Sequence, residues 1–346
     1  MPAEGIELLV MTAGALAFAV VFVRPAVRTR TMVSGAGGLV GAAAIVAAPT
    51  LDLVVFVLLA LGVLHASVTG GRSFAVRLRP PLLAAAMISI ALVLIRVQGP
   101  DVLDRFAAVG IGAALAAAVG LLPYIHLFDP DEDVAASPFA WLAFIGPVLA
   151  AVLVARAQGL LSADAWTALG GILIGLGVLN MVWGTVAAWF CGEVAEAWRY
   201  SFIADWGLVL CGFGLTILDG SRGAFLALFG IVLCRLPLYL VYRSAPVDRG
   251  TAERPINLVV AAALAGSAPF AGFAARILLL RGGTQLYWPL ALVLAIAMLL
   301  WLPSSLRLGR SVGLPRGRRA VGVALVLALN VAAGLYPLPI LSAAHL

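Results

Sequence analysis

Apolar runs of about 20 residues recur along the whole chain, and that length is what a helix needs to cross a hydrocarbon core. Twelve can be marked, at roughly 7–23, 32–48, 53–68, 81–95, 106–124, 138–155, 165–190, 200–217, 223–242, 256–275, 284–303 and 319–337. The second, third and fourth are short, which brackets the count between eleven and thirteen. With 63% hydrophobic residues, 11% charged and a mean hydropathy of +1.11, the chain is neither a soluble globular domain nor a disordered one. The expected class is an all-α polytopic membrane protein, a single membrane domain over 1–346.

The 22 basic residues are all arginines, and there is no lysine. Arginine pairs with phosphate and anionic lipid, but it does not give up a proton near neutral pH. Fifteen arginines fall in alternate loops: Arg24, Arg28, Arg30, Arg72, Arg77, Arg79, Arg199, Arg243, Arg249, Arg254, Arg307, Arg310, Arg316, Arg318 and Arg319. The opposite loops hold five, Arg96, Arg105, Arg156, Arg222 and Arg281. The bias predicts a cytoplasmic arginine-rich side, an even number of spans and both termini outside. Short-loop placement also argues against a nucleic-acid partner, despite the net charge of +6. Cys191, Cys211 and Cys234 lack CxxC spacing, so neither a disulfide framework nor a zinc site is expected. The acidic start Met1-Pro2-Ala3-Glu4 argues against a cleavable signal peptide.

Small-residue pairs such as Gly37/Gly41 and Gly171/Gly175 predict close helix contacts. Helix breakers fall at Gly146-Pro147 in the sixth run and at Gly266-Ser267-Ala268-Pro269 in the tenth. A break at membrane depth must be buried in protein or face water. No GxxxxGK[ST], HExxH or GxSxG motif is present, and Gly35-Ala36-Gly37-Gly38 fails the dinucleotide spacing. His65, His126 and His345 are too scattered to form a metal set. Asp129, Asp131, Glu132 and Asp133 do not fit a calcium loop and read as a solvated or partner-facing segment.

What remains is ionisable groups within apolar runs, which are costly there and are functional candidates by default. They are Asp205, Arg235 and Arg276, with Glu193 and Glu196 beside Arg199 at a helix end. For Asp205 and Arg235, a functional pair or intramembrane ion pair stands against helix ends set in the wrong place. For the glutamates, a buried acid–base cluster stands against a solvated surface pair.

Three stretches together resemble the antiporter-like membrane subunits of respiratory complex I and of Mrp-type cation/proton antiporters, most nearly the subunit N branch of NADH-quinone oxidoreductase. His126-Leu-Phe-Asp-Pro130-Asp131, with Pro138, is similar to the family's His-x-Trp-x-Pro-Asp and the proline that follows it, although Phe128 replaces tryptophan. Tyr200-Ser-Phe-Ile-Ala-Asp205-Trp-Gly207 resembles Tyr-Ser-Ser-Ile-x-His/Gln-x-Gly, with Asp205 at the His/Gln position. Ala265-Gly-Ser-Ala-Pro-Phe-Ala-Gly-Phe-Ala-Ala-Arg276 resembles Ala-Gly-Ile-Pro-Pro-x-x-Gly-Phe-x-x-Lys.

The resemblance implies two inverted five-helix repeats with broken helices, at 32–157 and 165–303, then an arginine-rich cytoplasmic loop and last helix over 304–346. It implies a subunit of a complex I-related or membrane-hydrogenase-type complex in the cell's inner membrane. Its neighbours would be other membrane subunits and lipid, with quinone in an adjoining subunit and no cofactor on this chain. The family's proton row of one glutamate and several lysines maps onto Leu61, Val119, Val148 and Arg276. Three of those four positions are apolar, so the chain is expected to be a non-catalytic subunit in which proton translocation has been lost. Any residual polar path would use Asp205, Arg235 and Arg276, reached from Glu193, Glu196 and His126. The alternatives are a structural or assembly module without transport and a stand-alone secondary transporter for an organic anion, with an integral-membrane transferase more remote.

Overall fold

The computed structural model describes residues 5–7, 9, 29–69, 74–97, 101–124, 138–244, 254–313 and 317–343. Every regular element among them is helical. The first apolar run lies almost wholly outside the described residues, as does the acidic segment from Asp129 to Asp133. The chain divides into two compact units, built on Val27–Leu176 and Gly177–Leu346.

The first unit contains α1 (Thr29–Ala47), α2 (Leu51–Thr69), α3 (Phe74–Arg96), α4 (Asp101–Val119), α5 (Pro138–Leu160) and the first half of α6 (Ala163–Phe190). Each of α1 to α4 packs on the next, α4 packs on α5, and α5 returns to α1. Arg156, near the end of α5, donates to the Ala48 carbonyl and so caps the C-terminus of α1, where unpaired carbonyls favour a cation. The expected break at Gly146-Pro147 is absent: α5 runs through Pro147. A proline removes one donor from the ladder, and a packed helix can bend around that loss without ending.

α4 does end abruptly. Gly120 takes φ +70°, a left-handed conformation that suits glycine, and Leu121 N–H reaches back to Ala116 O (2.9 Å). Pro123 follows in a cis bond, and Tyr124 N–H closes on Leu121 O (2.6 Å).

The second unit contains the rest of α6, α7 (Val194–Gly214), α8 (Leu218–Gly230), a π-helical turn (Ile231–Arg235), α9 (Leu236–Ser244), α10 (Pro255–Ala265), α11 (Ala271–Leu286), α12 (Trp288–Leu300), α13 (Leu302–Ser311), α14 (Arg318–Leu335) and the short α15 (Leu338–Ala343). α8, the π turn and α9 form one apolar rod that is 78% buried, against 39–56% for the other long apolar helices. It is the central helix of its unit. Pro237 has no N–H for the Leu233 carbonyl and its ring crowds that oxygen, and the wider turn just before it relieves the clash.

The second half of α6 meets α7 backbone to backbone. A Cβ on Gly177 would meet Gly207 O and Cys211 N, and one on Gly184 would meet Tyr200 O and Ala204 N, all within 2.7 Å. The expected contact at Gly171/Gly175 is corrected by the structure: nothing lies within 4 Å of either position, and the glycines that seat the helix, Gly177 and Gly184, lie further along it. Gly41, in contrast, does accept a neighbour, Leu61 of α2.

Five helical stretches among the described residues are long and apolar enough to cross a membrane, Arg77–Arg96, Val102–Val119, Ala163–Phe190, Leu218–Tyr242 and Trp288–Ser311, and five shorter apolar helices accompany them. Their outward sides carry Val40, Phe56, Val321 and Leu335, each at least 69% exposed, an apolar surface suited to the interior of a membrane. Tyr287, Trp288, Phe190 and Tyr336 stand at helix ends, where aromatic side chains favour the lipid–water boundary. The molecule is a polytopic α-helical membrane protein.

Candidate functional site

The tenth apolar run contains the expected break and reaches further than expected: α10 stops at Ala265, and α11 continues to Leu286. Gly266, at φ +61°, ends α10, with Ser267 N–H on Ala262 O (3.0 Å) and Gly266 N–H on Ala263 O (3.1 Å). The bond from Ala268 to Pro269 is cis, and Phe270 N–H closes on Ser267 O (3.0 Å). The break leaves the Leu264 carbonyl without an intrahelical donor. It accepts from Arg235 Nη2 (2.9 Å) and from Trp301 Nε1 (3.3 Å) instead.

Arg235 is the last residue of the π turn and is 2% exposed. Its Nε donates to Asp205 Oδ2 in an ion pair, and its guanidinium carbon lies 5.2 Å from the centre of the Trp301 ring. Asp205 is about three turns into α7, not one, because that helix starts at Val194. The alternative of misplaced helix ends therefore falls for both residues. Arg276, on α11, lays its guanidinium against the bare α-carbon of Gly266, where a Cβ would come within 3.0 Å of three of its atoms.

Asp205, Arg235 and Arg276 line one cavity of about 40 Å³ in the second unit, together with Gly266, Cys234 and Asn330. Asn330 escaped the sequence reasoning, which weighed only ionisable groups. It is 1% exposed on α14, and its Oδ1 accepts from Ala271 N–H (3.0 Å). Phe270, at the N-cap of α11, offers no capping side chain, so Asn330 supplies the cap from another helix. Gly334, one turn on, lets α14 lie directly on the backbone of Pro269 and Phe270. The signal was present as a lone asparagine in an apolar run with a glycine four residues later.

The glutamates do not join this cluster. Glu193 is exposed at the N-cap of α7, Glu196 is half-buried in its first turn, and neither side chain makes a hydrogen bond or ion pair with a described residue. Glu196 is nine residues from Asp205, about 13 Å along the helix at 1.5 Å per residue. His126 lies outside the described residues. Nearby, Arg307 donates to Cys191 O (2.7 Å) and Gly192 O (2.6 Å) and caps the end of α6. Burial pushes the Cys191 thiol up from its ordinary range, against the opposing Arg307 charge, so it is a neutral packing group. Among the described residues, no group of His, Cys, Asp and Glu could hold a metal ion.

In the first unit, Leu61 is 9% exposed, Val119 7% and Val148 0%. No proton can be held at any of them.

No family model and no curated protein matches the sequence. Solved structures do match. A chain of the membrane-bound sulfane sulfur reductase, an archaeal respiratory membrane complex, superposes with a TM-score of 0.76 at 17% identity over 96% of this chain and 65% of that one. A chain of respiratory complex I from Thermus thermophilus gives 0.72 at 14% identity, covering 100% and 83%. A chain of the Mrp complex from Dietzia sp. gives 0.78 at 18%, covering 99% and 44%. This chain thus spans about two thirds of the first relative's length and under half of the third's. The fold is the one implied by the three sequence motifs. It is shared among all three assemblies and does not single out subunit N.

Proposed function

We propose that this chain is an antiporter-like membrane subunit of a complex I-related assembly, of the NADH-quinone oxidoreductase or membrane-hydrogenase type, and that it no longer conducts protons. The observation that carries the proposal is the cluster that Asp205, Arg235 and Arg276 form around the break between α10 and α11, within a fold shared with subunits of three such assemblies. A proton relay needs groups that bind and release a proton in turn. Arg235 and Arg276 do not, and the positions matched to the family row in the first unit are buried leucine and valine. Asp205 is committed to an ion pair with the buried Arg235. The chain then acts as a rigid, non-catalytic spacer among other membrane subunits in the cell's inner membrane, with redox chemistry and quinone in neighbouring chains.

Two further correspondences support reading 32–157 and 165–303 as repeats. Each half carries glycine at positive φ, proline three residues later and an aromatic next, at Gly120-Pro123-Tyr124 and Gly266-Pro269-Phe270. Arg156, near the end of the first repeat, caps the end of α1, and Arg307, just past the end of the second, caps the end of α6.

Purification of the tagged chain from native membranes tests the assembly. Other antiporter-like subunits and a hydrophilic redox arm should come with it, and recovery as a lone, stable monomer would favour the secondary-transporter reading. In liposomes, the isolated chain should pass no protons above the lipid background. A proton flux abolished by Asp205→Asn would overturn the loss of conduction.

A further inference from the structure

The second-unit cavity has more hydrogen-bond donors than its own acceptors can satisfy. Arg235 Nη1 is buried without a hydrogen-bond partner, and Asn330 Nδ2 has only the Cys234 thiol, a weak acceptor, beside it; the two side chains are 2% and 1% exposed. The Arg276 side chain forms no hydrogen bond or close ion pair with any described residue, feels the Asp205 charge only at longer range, and faces the same space. The only carboxylate there, Asp205, is committed to Arg235 Nε, and the Leu264 carbonyl already accepts two donors. Cys234 adds a weakly accepting thiol.

The charges are unbalanced in the same direction. Two guanidinium groups face one carboxylate. The C-terminus of α10 contributes a partial negative charge of about half a unit, which offsets Arg276 only in part. Arg235 is buried and Arg276 half-buried, and an excess of guanidinium charge in such surroundings favours a negative complement. A volume of about 40 Å³ leaves room for one small ion and a water or two, since about 10–15 Å³ suffices for one water.

We propose that this cavity binds a single monovalent inorganic anion of the halide class, held by Arg276, Arg235 Nη1 and Asn330 Nδ2. The site is independent of proton conduction and of the partner complex. Its occupant would fasten the π turn, α11 and α14 around the break, taking the place that a titratable group would need.

Asn330→Asp separates this role from capping, because the carboxylate keeps an acceptor for Ala271 N–H while placing a negative charge in the cavity. The full-length protein in detergent is heated in sodium gluconate with sodium bromide rising at constant ionic strength. Bromide should raise the unfolding midpoint saturably, and N330D should abolish that response or shift half-saturation at least tenfold upward. A second readout needs no variant: the unmodified protein should broaden the chloride-35 NMR line, and bromide should compete the broadening away. Equal bromide responses in the parent and N330D overturn the site. So does chloride broadening that bromide leaves unchanged, which would leave the cavity to water.

Discussion

The two units break a helix in the same way and surround the break with opposite chemistry. Gly120 and Gly266 share positive φ, and in both units the N–H of the next residue reaches five residues back. Yet of the ten buried polar or charged side chains among the described residues, nine belong to the second unit and only Arg77 to the first. Leu115, Ala116 and Leu121 pack fully buried beside the first break, where the second has Arg235, Arg276 and Asn330. A backbone break at membrane depth can therefore settle much of its own hydrogen bonding. The polar cluster is an additional feature, not a consequence of the break.

The sharpest way to break that contrast is to remove one charge from the second unit. Asp205→Leu leaves Arg235 buried and unpaired and should cost about 3–5 kcal/mol, seen as a large fall in folded yield and unfolding midpoint in detergent. Asp205→Leu combined with Arg235→Met should recover much of the loss, because replacing both partners of a buried pair by apolar groups is often neutral. If the double variant is as unstable as the single one, the pair is more than a self-neutralising unit, and its tie to Leu264 would carry the excess.

Glycine contacts give the next effect. Gly334→Ala puts a Cβ into the Pro269 carbonyl oxygen, and backbone cannot yield as a side-chain end can. A loss of about 1–3 kcal/mol is expected, as for other overpacked sites. Gly171→Ala in the first unit meets nothing within 4 Å and should stabilise, by up to about 1 kcal/mol of helix propensity. Opposite signs in paired thermal melts would bear this out, and a neutral Gly334→Ala would mean α14 can move off the break.

Much of this fold was legible because lipid imposes a simple rule. Among the described residues the apolar runs fall on helices, and Gly266-Ser-Ala-Pro269 gave away its break through a glycine that suits a left-handed turn. Pro147 was misleading because a proline alone does not end a helix when its surroundings hold it. Gly171/Gly175 misled because four-residue spacing defines a face but not whether a neighbour covers it, and Gly177 and Gly184 took that part. Asn330 was illegible for another reason. Its value lies in satisfying Ala271 from 59 residues away, and no local pattern encodes that pairing.

The smallest effect is expected from the first unit's own ion pairs, and it defines the contrast from the other side. Asp52 and Arg96 meet at the ends of α2 and α3 with side chains 49% and 62% exposed, unlike Asp205 and Arg235 at 17% and 3%. Exposed pairs are screened by solvent and contribute about 0–1 kcal/mol. Asp52→Asn should therefore shift the unfolding midpoint barely at all, and the small shift should shrink further as salt rises and shortens the Debye length. A loss comparable to that of Asp205→Leu would mean that the first unit hides a buried polar centre of its own, and the division into a dry half and a charged half would fail.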